Sequence, residues 1–329
     1  MKIAISGYYG FNNTGDEAIL EALRLGIRQN LPNSDMKVLD AKNRFNLKLI
    51  WDCDIFISGG GGLLQDKTST RSFLYYLGLI KLAKMLGKKV FVFAASLGPV
   101  TKPYNRFLLK RVLDQVDLIT VRDQHSFNFV KSLHLRNPRV VETADPALLL
   151  KPVASQIIKA PALGVCVRKL KDSRKLAEVL DKLSRQLKLR VVFIPFQPDR
   201  DIPAAQEVIR HMREPAELIQ APLKPREILG IVFQLELLIG MRLHSLIFAV
   251  SSLVPALGLS YDPKVASFLD EVNLPYLPAD DFDAEELLSL VKQLWDNREG
   301  VKLSLQEARR KLYGKAQLNF GMINMLKGD

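Results

Sequence analysis

Leu235-Glu-Leu-Leu-Ile-Gly-Met-Arg-Leu-His-Ser245 runs from an apolar, strand-like segment straight into a polar turn. Twenty residues later Pro255-Ala-Leu-Gly-Leu-Ser-Tyr-Asp-Pro-Lys264 repeats the pattern. Between them, Leu243 to Ser252 is apolar and long enough for one buried helix. Strand, helix, strand is a βαβ unit, and its two strands must lie parallel because the crossover returns the chain to the same end of the sheet. Arg242, His244 and Lys264 then leave the carboxyl ends of neighbouring strands, where open α/β sheets hold their ligands. Cations at the first turns of two helices suit a small, highly charged anion.

The same alternation runs outward in both directions. Strand-like runs at Lys2–Ser6, Met36–Leu39, Asp54–Ser58, Lys89–Ala94, Leu118–Val121 and Val140–Glu142 are separated by amphipathic stretches. The second half continues with Ala162–Val167, Arg190–Pro195, Glu217–Gln220, Leu235–Ile239 and Pro255–Ser260. Such alternation argues for parallel sheets with helices on both faces. The stretch from Lys151 to Pro161 is the most linker-like. The expected architecture is therefore α/β, with two doubly wound Rossmann-like domains facing a cleft in a GT-B-like arrangement, residues 1–155 and 156–329. An eight-stranded barrel competes, but the mid-chain linker and the glycine-rich first loop weigh against it. The tail from Asp283 to Leu326 reads as two helices, the last packing back on the first domain.

At 329 residues, 48% hydrophobic and 25% charged, the chain has the composition of an ordinary soluble globular protein. Cys53 and Cys166 lie far apart in or beside apolar runs and read as buried, reduced thiols, which favours a cytoplasmic setting. The histidines His125, His134, His211 and His244 form no metal-binding spacing, so no metal is expected. Met1 to Ser6 reads as a first strand rather than a signal peptide, and no apolar run is long enough for a membrane span. The net charge of +12 is uneven: residues 1–155 hold 22 Lys/Arg against 13 Asp/Glu, the remainder 25 against 22. Lys81 to Arg111 holds eight basic residues and no acidic one. This segment reads either as a solvated helix face or as a docking face for anionic lipid headgroups. No nucleic-acid-binding motif accompanies the charge, which argues against that partner.

Three further strand ends carry polar chemistry. The first strand opens into Gly7-Tyr-Tyr-Gly-Phe-Asn-Asn-Thr-Gly-Asp-Glu17, which has neither Rossmann glycine spacing nor a Walker lysine. Its Asp16 and Glu17 either cap the following helix or act as a base toward a bound hydroxyl. The third opens into Ser58-Gly-Gly-Gly-Gly-Leu-Leu-Gln-Asp66. Here Gly60 and Gly61 offer backbone N–H groups or simply form a tight turn, and Gln65 and Asp66 could hydrogen-bond sugar hydroxyls. The fifth ends in Thr120-Val-Arg-Asp123, placing Arg122 as Arg242 is placed, with an Arg122–Asp123 pairing as the structural alternative. Asp145-Pro146 is expected to shape the turn at the domain boundary.

Taken together, Gly7-Tyr-Tyr-Gly10, Asn13-Thr-Gly-Asp-Glu-Ala18, Ser58-Gly-Gly-Gly-Gly-Leu63, Gly98-Pro99, Val121-Arg-Asp123, Ala144-Asp-Pro146, Arg242-Leu-His-Ser245 and Tyr261-Asp-Pro-Lys264 resemble the polysaccharide pyruvyl transferase family. The likeness is to bacterial enzymes that pyruvylate a secondary cell-wall polymer for S-layer anchoring. The resemblance implies pyruvate transfer from phosphoenolpyruvate, without cofactor, to N-acetylmannosamine in a lipid-linked precursor, forming a 4,6-ketal. It implies that Arg122, Arg242, Leu243, His244 and Lys264 hold phosphoenolpyruvate. Counting Arg122, Arg242 and Lys264 as three positive charges matches that ligand. His244 is then the candidate acid/base, Asp16 or Glu17 the hydroxyl base, and Tyr8, Asn13, Asp16, Gly60, Gly61, Gln65 and Asp66 the acceptor-facing groups. The competing reading is a GT-B glycosyltransferase using a nucleotide sugar on a lipid-linked acceptor. Its ribose-reading carboxylate would have to be Glu227. The order of hydroxyl attack and the oligomeric state stay open.

Overall fold

A computed structural model describes residues 1–136, 138–159 and 161–326. The first sheet comprises β1 (Lys2–Ser6), β2 (Asp35–Leu39), β3 (Ile55–Ser58), β4 (Lys89–Ala95), β5 (Leu118–Val121) and β6 (Arg139–Glu142), all parallel, in the order β2-β1-β3-β4-β5-β6. Its helices are α1 (Thr14–Asn30), α2 (Lys48–Trp51), α3 (Thr70–Met85), α4 (Pro103–Leu113) and α5 (Gln124–Lys131). The second sheet comprises β7 (Ala162–Cys166), β8 (Arg190–Phe193), β9 (Ala216–Leu218), β10 (Leu237–Gly240), β11 (Ala256–Ser260) and β12 (Tyr276–Pro278), also parallel, in the order β12-β11-β10-β7-β8-β9. It carries α6 (Ser173–Leu187), α7 (Pro198–Ile209), α8 (Pro225–Val232), α9 (Leu243–Ser252), α10 (Pro263–Glu271) and α11 (Ala284–Asp296), followed by α12 (Arg298–Gly321).

The central strands are apolar without alternation. Ile-Phe-Ile-Ser in β3 and Leu-Leu-Ile-Gly in β10 are buried throughout, because helices cover both faces of each sheet. Helix starts are set by local side chains: Ser69 accepts from Ser72 N at α3, Asp123 from Ser126 N at α5, and Asp172 from Arg174 N and Lys175 N at α6. The three-residue β12 has no counterpart among the expected strands. It is short, ends in proline and pairs on one side only, as an edge strand can.

The chain forms two compact units. One takes Met1–Phe11, Asp16–Leu149 and the residues from Leu312 on; the other takes Asn12–Gly15 and Leu150–Lys311. The division falls ahead of the linker-like stretch, because that stretch is tied down along α8. Val153 N donates to Arg226 O, Arg226 Nε to Lys151 O, and Gln234 Nε2 to Ser155 O. Ala160, near its end, lies outside the described residues. From Leu312 on, α12 belongs with the first unit, where Phe320 contacts Phe93 and buried Asn319 donates to Ala144 O and accepts from Thr143 Oγ1.

In each sheet the strand order reverses once, and the crevice at such a reversal, outside the carboxyl ends, is where doubly wound sheets bind ligands. In the first sheet the reversal lies between β1 and β3, and in the second between β10 and β7.

Candidate active site

In the second unit, Met241 N donates to Cys166 O, extending the pairing of β10 with β7 one residue past Gly240. The next residue, Arg242, is the extended N-cap of α9. Its Nε and Nη2 bind the Asp201 carboxylate at 3.2 and 2.5 Å. Asp201 is only 1% exposed and also accepts from Phe196 N and Gln197 N, so the carboxylate is itself immobilised in the first turn of α7. Burial lowers the proton affinity of Arg242, but the bond to Asp201 outweighs it and raises its pKa above the usual arginine value.

His244 follows in the first turn of α9. Its imidazole lies against Gly15, a residue of the Asn12–Gly15 segment that Thr14 N ties to Phe196 O. A Cβ on Gly15 would fall 2.0 Å from His244 Nδ1, so only glycine permits this approach. Lys264 is half-buried in the first turn of α10, its backbone N–H bound to Asp262 Oδ1. Tyr261, beside it in the β11–α10 turn, has its ring 4.1 Å beneath the Arg168 guanidinium. Arg168 stands two residues past β7, across the reversal from Arg242, and its backbone N–H meets Met241 Sδ. Cys166 is wholly buried there, and burial, reinforced by Asp201, pushes its thiol up to about 12, which removes it as a nucleophile.

The first unit treats its arginine in the same way. Arg122 Nη1 binds Asp145 Oδ2 at 2.5 Å, with both side chains buried. Asp123 instead caps α5, so the Arg122–Asp123 pairing does not form. Asp145 also accepts from Ala147 N; its role is to hold Arg122 as well as the turn after β6. The count of three positive charges from Arg122, Arg242 and Lys264 is therefore changed: Arg122 and Arg242 each arrive with a buried carboxylate partner. Each guanidinium is thus oriented, and its charge compensated, by a carboxylate of its own unit.

At the first sheet's reversal, Gly61, with φ of +101°, brings the loop after β3 against Asp16. A Cβ there would fall 2.8 Å from Asp16 Oδ1. Gly60 is buried, and its Cβ would meet Ile19 and the Ala94 carbonyl, so this part of the glycine run is a packed turn rather than an open row of donors. Glu17 Oε1 accepts from Gly10 N, and burial raises its pKa. Glu17 thus braces the first loop, while Asp16 is the carboxylate set at the crevice. Tyr8 stacks on Phe11 at 4.3 Å, and Asn13 Oδ1 accepts from Gly15 N. Gln65 spends its amide on Thr68 in its own loop. Asp66 departs furthest from expectation: it is 6% exposed and accepts from Thr101 N, Thr101 Oγ1, Lys102 N and Asn105 Nδ2. Its carboxylate braces the start of α4 and has no capacity left for a sugar hydroxyl.

Asp201 escaped sequence reasoning because it lies 41 residues from Arg242 with nothing local to link them. Arg168 did carry a signal: Cys166-Val-Arg168 repeats the strand-end pattern of Gly240-Met-Arg242. Among the described residues no cluster of His, Cys, Asp or Glu is arranged to hold a metal ion.

Two doubly wound units, each with a polar loop cluster at its strand-order reversal, define the GT-B-like fold class. Solved structures agree on that fold. UDP-GlcNAc 2-epimerase from Neisseria meningitidis bound to UDP-GlcNAc is similar at 12% identity and a TM-score of 0.63, over 99% of each chain. The S. aureus MnaA–UDP co-structure is similar at 14% and 0.65, over 99% of this chain and 96% of that one. MurG of Acinetobacter baumannii is similar at 15% and 0.57, over 99% and 100%. The chain belongs to the polysaccharide pyruvyl transferase family, whose model matches residues 13–263.

Proposed function

We propose that this transferase moves pyruvate from phosphoenolpyruvate to N-acetylmannosamine in a lipid-linked cell-wall polymer precursor, forming a 4,6-ketal and releasing phosphate. The family match over residues 13–263, which takes in every proposed donor-binding residue but Lys264, carries this reading. Arg242, Leu243, His244 and Lys264 at the carboxyl edge of the second sheet bind the donor. Arg122, the remaining position implied for it, ends β5 in the first unit. In the reaction, C3 of phosphoenolpyruvate gains a proton and one sugar hydroxyl oxygen bonds to C2. The C2–O bond to phosphate then breaks, a second hydroxyl oxygen bonds to C2, and two hydroxyl protons are released in all, balancing those taken up by C3 and phosphate. Arg242, oriented by Asp201, meets a planar carboxylate or a phosphate with fixed donors. His244, fixed against Gly15, serves the proton transfer or the leaving phosphate. Asp16 is the base for the attacking hydroxyl, with Tyr8 and Asn13 on the same loop facing the acceptor. No metal or other cofactor takes part in these steps.

A lipid-linked acceptor places the enzyme on the inner face of the membrane. No helix among the described residues is long and apolar enough to cross one. Within Lys81–Arg111 much of the charge is engaged locally: Lys84 and Lys89 contact Asp117, and Lys110 contacts Asp114. The outer side of α4 still exposes Tyr104 and Phe107, with Arg111 over the Phe107 ring, a combination suited to an anionic headgroup layer. The test of the activity is mass spectrometry of a lipid-linked N-acetylmannosamine acceptor incubated with phosphoenolpyruvate. A pyruvylated product with matching phosphate release supports it. Turnover only with a nucleotide sugar would replace it with glycosyl transfer.

A further inference from the structure

Within the second unit, a cleft of about 800 Å³ opens between the β7–α6 loop and the start of α7. Arg168, Lys169, Lys171 and Arg174 stand along one wall and Arg200 on the other. The acidic residues of the lining do not cancel them. Asp172 accepts from the first N–H groups of α6 and Glu207 contacts Arg210 and His211, so Asp172 and Asp199 stand against five cations. Because Asp172 occupies those N–H groups, an anion here is held by side chains rather than by the helix end. Leu170, Pro203 and Ala204 supply an apolar lining. Arg168, stacked on Tyr261, also meets Met241 Sδ through its backbone N–H, one residue before Arg242. The cleft therefore adjoins the Arg242 corner at the strand-order reversal, yet its cations are separate from the donor-binding residues.

We infer that this cleft is a second anion site, which holds the diphosphate of a diphosphate-linked saccharide while the sugar reaches the Arg242 corner. A cleft with four cations along one wall and Arg200 opposite them suits a compact polyanion better than a flat membrane surface, and an apolar lining accepts the sugar or lipid carbon beside it. Assigning the diphosphate to the acceptor rests on the proposed pyruvyl transfer; the anion site itself does not.

The test is isothermal titration of the full chain with inorganic pyrophosphate, with and without saturating phosphoenolpyruvate. It compares the native protein with a K171E/R174E/R200E variant and with a control carrying the same charge change at exposed positions elsewhere, K292E/R310E/K311E. We expect pyrophosphate to bind whether or not phosphoenolpyruvate is present. The cleft variant should weaken it at least tenfold while leaving phosphoenolpyruvate affinity within twofold, and the control should change neither. Pyrophosphate displaced by phosphoenolpyruvate, or weakened equally by the control, overturns the inference. Native protein that binds pyrophosphate but not phosphoenolpyruvate keeps the site and defeats the donor assignment. Parallel titrations with a nucleoside diphosphate sugar and a short prenyl diphosphate identify the carrier: only the tighter of the two should lose affinity in the cleft variant.

Discussion

Asp201 grips the Arg242 guanidinium through two of its nitrogens while its own carboxylate is pinned by Phe196 N and Gln197 N. The arginine at the carboxyl end of β10 is thereby aimed before any ligand arrives. A buried pair of this kind contributes little net stability, but removing one partner strands the other charge. Its function is orientation, which lowers the ordering cost of binding a small anion.

Asp201→Asn keeps the shape and one acceptor for the backbone N–H groups but loses the charge. The variant should be destabilised by about 2–4 kcal/mol in urea titration. Phosphoenolpyruvate affinity should fall at least tenfold by calorimetry. An unchanged affinity would show that Arg242 needs no such aiming.

Gly15→Ala places a methyl group where the His244 imidazole lies. The ring must move, and a displacement of about 1 Å can cost about 100-fold in rate. We expect turnover to drop by about that factor while the melting temperature changes little, since alanine suits the first turn of α1. Full activity in the variant would remove His244 from the reacting centre.

Asp66 gives a pH signature. Burial raises its pKa, but the donors from Thr101, Asn105 and Lys102 outweigh that and hold the carboxyl at about 2. A depressed pKa stabilises the fold above the ordinary carboxylate range, and that contribution fades as pH falls from about 4 toward 2. Asp66→Asn should therefore be less stable than the native chain by about 1–2 kcal/mol at neutral pH, and the gap should close below about pH 4. A gap independent of pH in acid denaturation curves would contradict the assignment.

Membrane docking through α4 predicts that the native chain co-sediments with vesicles containing anionic lipid. Replacing Tyr104 and Phe107 by glutamate should reduce the bound fraction several-fold without altering turnover on a short, water-soluble acceptor. Equal sedimentation of both proteins would place docking elsewhere.

Much of the architecture was legible in the chain. The βαβ unit around Arg242 and the apolar runs of β1 to β11 are local patterns, and the structure reproduces them within a few residues. Less legible were features set by distant contacts. Nothing near Arg242 points to Asp201, nothing near Arg122 points past Asp123 to Asp145, and the burial of Asp66 depends on residues 35 to 39 positions away. The proline-bearing stretch after Leu150 looks like a linker by composition, yet its backbone is bound to α8. Side-chain type predicted which strand ends matter; it did not predict which carboxylates were already committed.

The central claim is that the carboxyl edge of the second sheet, built around Arg242 and His244, binds phosphoenolpyruvate. The most direct measurement is calorimetric titration of phosphoenolpyruvate into the native chain and into Arg242→Gln, with folding of both verified by circular dichroism. The account predicts one molecule bound per native chain and at least a hundredfold loss in the variant. Equal binding by both proteins, or no binding by a native chain that takes up a nucleotide sugar instead, would contradict it.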